Sequence, residues 1–147
     1  MPKTFNSILI HVVFSTKDRI PYLNWNIRGE VCEWIKKESW NAGINVDTVN
    51  GIEDHLHLLI KLKPTQSTSE VVKWIKGSSS FWLNQKYKWE DKFAWQQGYG
   101  VFSVSQNDID QVRAYIFNQE KHHKDRTYAR EIKELVRRGS ITPIAKE

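Results

Sequence analysis

The spacing of hydrophobic positions changes several times along the chain, and each change marks an element. Residues 6–15, NSILIHVVFS, are apolar and β-branched, the pattern of a buried strand. TKDRIPYLN (16–24) breaks that run with Pro21 and ends on Asn24, a good N-cap residue. From Trp25 to Trp40 the apolar residues Ile27, Val31, Trp34 and Ile35 fall at helical spacing, and Asn41–Gly43 ends the helix. INVDTVN (44–50) alternates as a strand, residues 51–54 turn, and HLHLLIKL (55–62) alternates most clearly of all. Ser67 and Glu70 have the spacing of a capping box before a helix reaching about Gln85, with apolar Val71, Val72, Trp74, Ile75, Phe81 and Trp82. GYGVFSVS (98–105) is a fourth strand. Ser105 and Asp108 then suggest a cap for a helix to about His122, and a last amphipathic helix covers 127–137.

The order is β-α-β-β-α-β followed by helices. It predicts an α+β fold of the ferredoxin-like, RRM-like kind, with helices on one sheet face and the other face available to a ligand or partner. The chain of 147 residues fits one domain, 1–147. No repeat or linker divides it, and KLKPTQSTS (61–69) is too short to separate domains.

Composition narrows the class. Gly and Pro are few, and 39% of residues are hydrophobic, which excludes collagen-like and disordered chains. The lone Cys32 excludes an internal disulfide framework and any Cys-rich zinc module. No apolar run is long enough for a transmembrane helix, and the N-terminal segment lacks a small-residue cleavage site, so the expected location is the cytoplasm. The formal charge is +5, and Lys and Arg interleave with aromatics in KWIKG (73–77) and NQKYKWEDKFAW (84–95). That pairing of charge and ring can screen phosphates and stack unpaired bases; the same rings also suit a core.

Candidate chemistry centres on residues 55–57. On a strand His55 and His57 share one face, while Leu56, Leu58, Ile60 and Leu62 share the other. Two neutral imidazoles side by side are half of a metal site. Glu53, in strand spacing with them, and Gln119 are candidate third ligands. Gln119 lies four residues after Tyr115 in DIDQVRAYIFNQ (108–119), so on a helix the two share a face beside Ile109, Val112 and Ile116. A tyrosine beside a metal can be a nucleophile. Tyr22, Tyr99 and Tyr128 have no comparable context. Tyr87 with Asp91 has the spacing but no apolar stripe. GSSSF (77–81) lies within a helix and lacks the strand-turn-helix setting of a serine nucleophile. Cys32 reads as packing, His11 as a core or edge histidine, and His122 and His123 as polar residues at a helix end.

Taken together, HVVFSTKDR (11–19), DHLHLLI (54–60), WQQGYGVFSVS (95–105) and YIFNQEKHH (115–123) resemble the single-tyrosine HUH transposases, which move small bacterial and archaeal insertion sequences as single-stranded DNA. The resemblance spans roughly residues 5–137. It implies His55, His57 and Gln119 as ligands of Mg²⁺ or Mn²⁺, and Tyr115 as the nucleophile forming a 5′-phosphotyrosine. It also implies a DNA hairpin as partner and a homodimer whose active site can be composite. Lys17, Arg19, Lys73 and Lys76 are candidate phosphate contacts. Three other readings remain: a domesticated repeat-associated tyrosine transposase, a non-catalytic RRM-like module, and a metal hydrolase using Glu53. HLHLLIKL offers no aromatic for base stacking, which counts against the RRM-like module.

Overall fold

A computed structural model describes residues 3–119 and 127–138. Strand β1 (Ile8–Ser15) leads through a short 3-10 turn to helix α1 (Trp25–Asn41). Strands β2 (Asn45–Ile52) and β3 (His55–Leu62) form a hairpin, followed by α2 (Thr68–Lys86), β4 (Gly100–Val104), α3 (Ile109–Phe117) and α4 (Tyr128–Arg138). The sheet is antiparallel in the order β2-β3-β1-β4, so the two strands that flank α1 are separated by β3. This is the split βαβ arrangement expected from the sequence.

Local signals fix the elements. The Asn24 side chain accepts the Ile27 N–H at 3.1 Å, and the Ser67 hydroxyl accepts the Glu70 N–H at 3.1 Å, each satisfying an otherwise unpaired first-turn donor. Ser105 does not cap: its hydroxyl binds the Asp108 carboxylate at 2.9 Å, and a 3-10 turn over Gln106–Asp108 precedes α3. Helix α3 itself ends at Phe117, short of the expected His122; His122 and His123 lie outside the described residues.

Strand alternation sorts the sheet's side chains into two layers. Ile10, Val12, Phe14, Leu56, Leu58, Ile60 and Leu62 face α1 and α2 and pack on Ile27, Val31, Ile35, Val71, Val72, Ile75 and Leu83. Each fully buried side chain of this kind contributes roughly 1.5–3 kcal/mol. Phe93 and Trp95 extend this core beyond α2. Asn84 brackets Phe93 with two backbone hydrogen bonds of 2.8 and 2.9 Å, and the Trp95 indole N–H donates to Ser79 Oγ at 2.9 Å. The charged residues of the stretch 84–95 stay exposed, while its aromatic residues serve the core, Phe93 and Trp95 within it and Tyr87 and Trp89 packed against it. Cys32 also packs against it, and burial pushes its thiol pKa up to about 12, so it is inert.

The opposite face is not left open as expected. Helix α3 lies across β2 and β3, and Ile116 closes a small cluster with Leu9 and Leu59. Helix α4 reaches the same face, bringing Ile132 near Gly100. Between these helices and the sheet sit His11, His55 and His57, all buried.

Candidate active site

The site begins with strand register. In the β1–β3 ladder Val13 pairs with His57 and Ser15 with His55, so His11 is the diagonal neighbour of His57 on the same face. The two β3 imidazoles lie 5.2 Å apart between ring centroids, both fully buried. Sequence reasoning placed them on an exposed face; α3 and α4 cover them.

Helix α3 brings Tyr115 over this pair. Its ring lies 5.6 Å from His57 at 85°. Gln119, one turn on, is also buried; its Nε2 donates to the Tyr115 carbonyl at 3.2 Å. The helical face shared by Tyr115 and Gln119 is therefore the face turned toward the histidines.

Helix α4 supplies what sequence reasoning missed. Glu131 is 1% exposed, and its carboxylate touches every member of the group. Oε1 lies 2.7 Å from His57 Nε2, and Oε2 lies 3.1 Å from His55 Nε2. The Tyr115 hydroxyl donates to Oε1, as does Gln119 Nε2 at 3.3 Å. A visible signal existed: Tyr128, Glu131, Ile132 and Leu135 follow i, i+3, i+4, i+7 spacing, so Glu131 is a carboxylate inside an apolar stripe. Tyr128 was passed over as well. Its ring lies 4.9 Å from His55 and its hydroxyl donates to Gln96 Oε1 at 2.7 Å; burial pushes its pKa up to about 12.

Charges in this layer are paired with care. Asp54 Oδ1 lies 2.7 Å from His55 Nδ1. Burial alone would lower the His55 pKa, but the hydrogen bonds and charges of Asp54 and Glu131 outweigh it and leave it raised. His11 goes the other way: burial, then the neighbouring His57, lowers its pKa to about 3, so it stays neutral.

The donor set suits a divalent ion. His55, His57 and Glu131 offer ligand atoms within 4.8 Å of one another. Gln119 Oε1 is buried with no hydrogen-bond partner, an orphaned acceptor beside them. Two imidazole nitrogens, an amide oxygen and a carboxylate are donors able to hold a divalent ion. Glu53, the other candidate ligand, is exposed in the β2–β3 turn and does not join them.

A family model described as "Transposase IS200 like" matches residues 4–119. The chain belongs to this family of IS200-like transposases. It is 27% identical over 119 residues to the transposase of insertion sequence element IS200 from Salmonella typhimurium, covering 78% of each chain. It is likewise 27% identical over 120 residues to the ISDra2 transposase TnpA of Deinococcus radiodurans, covering 78% of this chain and 84% of that one. In fold it is similar to a crystal structure of a candidate transposase from Deinococcus radiodurans, with TM-score 0.64, 23% identity, and coverage of 81% of this chain and 98% of that one. It is also similar to a REP-associated tyrosine transposase bound to a REP hairpin, with TM-score 0.59, 15% identity, and coverage of 83% and 73%. In this IS200-like transposase the family match ends at Gln119, so Glu131 lies beyond it.

The four candidate phosphate contacts are dispersed. Lys17 and Arg19 sit in the turn after β1, where Asp18 and Arg19 both adopt left-handed backbone (φ 56° and 55°). Arg19 is exposed there, and its charge is among those acting on the Tyr128 phenol. Lys73 is exposed on α2. Lys76 is differently occupied: its ammonium donates to the Gln96 and Gly98 carbonyls at 2.8 and 2.7 Å and lies over the Phe14 ring. A surface groove of about 850 Å³ lined by Trp34, Trp74, Phe81 and Trp82 belongs to the α1/α2 side, on the sheet face opposite the histidines. Among the described residues, no helix is long and apolar enough to cross a membrane.

Proposed function

We propose that this transposase binds hairpin-bearing single-stranded DNA at insertion-sequence ends and cleaves and rejoins it through a 5′-phosphotyrosine on Tyr115. The observation that carries the proposal is the meeting of the Tyr115 hydroxyl, both imidazoles and Gln119 on one buried carboxylate. His55, His57 and Gln119, with Glu131 beside them, would hold Mg²⁺ or Mn²⁺. Such an ion supplies positive charge to the scissile phosphate and its leaving oxygen.

The chain's own residues do the rest. Tyr115 attacks phosphorus, the bond to the 3′-oxygen breaks, and the leaving 3′-oxygen takes a proton from solvent to become a free hydroxyl. The phenol, ordinarily with a pKa near 10, must lose its proton on the way. Glu131 Oε1 already accepts that hydrogen bond and is placed to receive it. Because the phosphotyrosine keeps a phosphodiester, an incoming 3′-hydroxyl, giving up its proton to solvent, can reverse the step and join a new strand, with the Tyr115 oxygen as leaving group and its proton returned from Glu131.

The hairpin seen on the REP-associated fold neighbour supports a structured DNA partner. Lys17, Arg19 and Lys73 are the proposed phosphate contacts, with Lys76 the least available. Family resemblance supports a homodimer. In the chain described here Tyr115 meets the histidines of its own chain, and the dimer would allow the helix to serve its partner instead.

The test is intact-mass measurement after incubation with Mn²⁺ and single-stranded oligonucleotides drawn from DNA flanking the gene. The expected result is a metal-dependent adduct mapped to Tyr115 and absent from Tyr115→Phe. Cleavage without an adduct would refute the nucleophile. Mixing Tyr115→Phe with His57→Ala chains separates the arrangements, since restored cleavage requires a site shared between subunits.

A further inference from the structure

Each imidazole in this site has one nitrogen turned toward the ligand cluster and one turned away. A metal-binding histidine normally has its second nitrogen held by a carboxylate, a backbone carbonyl or water, which fixes its tautomer and its orientation. His55 follows that rule through Asp54 Oδ1 at 2.7 Å. His57 does not. Its second nitrogen, Nδ1, lies 2.8 Å from Nε2 of another histidine, His11 of β1.

His11 is 3% exposed and packs against both partners in the proposed reaction. Its ring centroid is 5.0 Å from His57 and 6.1 Å from Tyr115, the latter edge-on at 72°. Phe102 closes a third side at 6.4 Å. Strand register explains the contact, since His11 is diagonal to His57 across the β1–β3 ladder.

We infer that His11 is a positioning residue: its Nε2 accepts the His57 Nδ1–H, which leaves the His57 Nε2 lone pair for the ion, while its ring braces Tyr115. The inference rests on the metal reading of the site. It also explains why the partner is an imidazole and not a second aspartate. A carboxylate at position 11 would be a second buried anion close to Glu131, with no cation of its own, and unpaired buried charge is costly. A neutral ring accepts the same proton without adding charge. Two nearby ligand histidines are thus held by different means, one by an anion at the partly exposed strand start, the other by a neutral acceptor in the buried layer.

The experiment has two arms. Protein labelled with ¹⁵N-histidine, read by long-range ¹H–¹⁵N spectra with Mg²⁺, reports the His57 tautomer directly. Calorimetric titration with Mn²⁺ reports affinity. The expected results are a His57 ring protonated at Nδ1, and a loss of Mn²⁺ affinity of about ten- to a hundredfold in His11→Phe, which keeps a ring but no acceptor. His11→Gln, whose amide oxygen can accept the same proton, should recover part of the loss. Phe suits a buried layer, so a merely structural His11 would leave His11→Phe folded with unchanged Mn²⁺ binding, and affinity within twofold of the original would overturn the inference. A His57 ring protonated at Nε2 in the Mg²⁺ sample would do so too, and that result needs no variant to fold. Absence of Mn²⁺ binding by the unaltered chain would instead refute the metal reading, taking the inference with it.

Discussion

Replacing Gly51 with alanine should damage the fold and the site together. Gly51 is in β2, opposite Leu56 in the hairpin that presents the two histidines. A Cβ there would lie 2.0 Å from the His55 carbonyl oxygen, 2.8 Å from Leu56 Cδ2 and 2.9 Å from Leu56 Cα. Ordinary contact begins near 3.4 Å, so the strands must part by more than an ångström. Two of the three obstacles are backbone, so no rotamer change relieves them. Overpacking of this kind typically costs 1–3 kcal/mol, and the disturbed ladder argues for the upper end, about 3 kcal/mol. For a domain of this size that is a fall in Tm of about 6–12 °C. The displaced atom is the carbonyl of His55 itself, so Mn²⁺ affinity should fall as well. Calorimetric melting and Mn²⁺ titration of Gly51→Ala read both effects. Gly29→Ala and Gly77→Ala are the controls: both are helical, a Cβ at either meets nothing within 4 Å, and each should stabilise by about 0.5–1 kcal/mol. Melting of Gly51→Ala within 2 °C of the unaltered chain would refute the steric argument.

Three further outcomes are expected. The His11 pKa is about 3 in the folded chain against 6.5 for an ordinary histidine, so the unfolded chain takes a proton first; stability should fall as pH drops from 6.5 toward 3, by up to about 1.4 kcal/mol per pH unit, and urea titrations of His11→Phe should lack that part of the slope. The His55 pKa is raised, so its contribution in metal-free protein is full below 6.5 and is lost as pH rises through the raised value. Because the ligand form is the deprotonated ring, Mn²⁺ titrations should show weaker binding and proton release as pH falls through the same range, and pH-independent binding would contradict it. Ser79→Ala removes the acceptor of the buried Trp95 indole N–H and should cost about 1–3 kcal/mol in denaturant unfolding, with the neighbouring Ser78→Ala near neutral.

The sheet was legible in the sequence because its signals are local. HLHLLIKL spans the observed β3 residue for residue, and its alternation puts both histidines on one face. Asn24 and Ser67 cap the helices they were expected to cap. The spacing of Tyr115 and Gln119 placed them on the helical face that meets those histidines. What was not legible depends on pairing between distant segments. His11 lies on the same face as His57 only because β1 pairs with β3 in one register, and nothing within β1 states that register. Glu131 lies in an apolar stripe of its helix, which signals a side chain turned inward, but what that carboxylate meets depends on where α4 docks. The covering of the histidine face has the same origin, since strand patterning says which side chains point together but not which helix will lie over them.

The two sheet faces have divided stability and chemistry between them. On the α1/α2 side nearly every buried position is apolar. On the α3/α4 side, among the described residues, Leu9, Leu59 and Ile116 form a small apolar cluster with Val104, Ile109, Val112 and Tyr115 packed on it, Val13 is buried as well, and the buried polar positions include His11, His55, His57, Gln119 and Glu131. Polar burial yields little net stability even when paired. The docking of α3 and α4 therefore rests on mutual satisfaction of polar groups as well as on hydrophobic area, with Glu131 at the centre of the polar contacts. Elements held that way open at lower free energy than the core they rest on. A site whose proposed substrate is a DNA strand needs such an element, because His55 and His57 are fully buried beneath it, while Tyr115 is half-buried. Asp54, in the β2–β3 turn, and His11, on β1, contact the two imidazoles from the sheet itself, so neither of these contacts is made by α3 or α4.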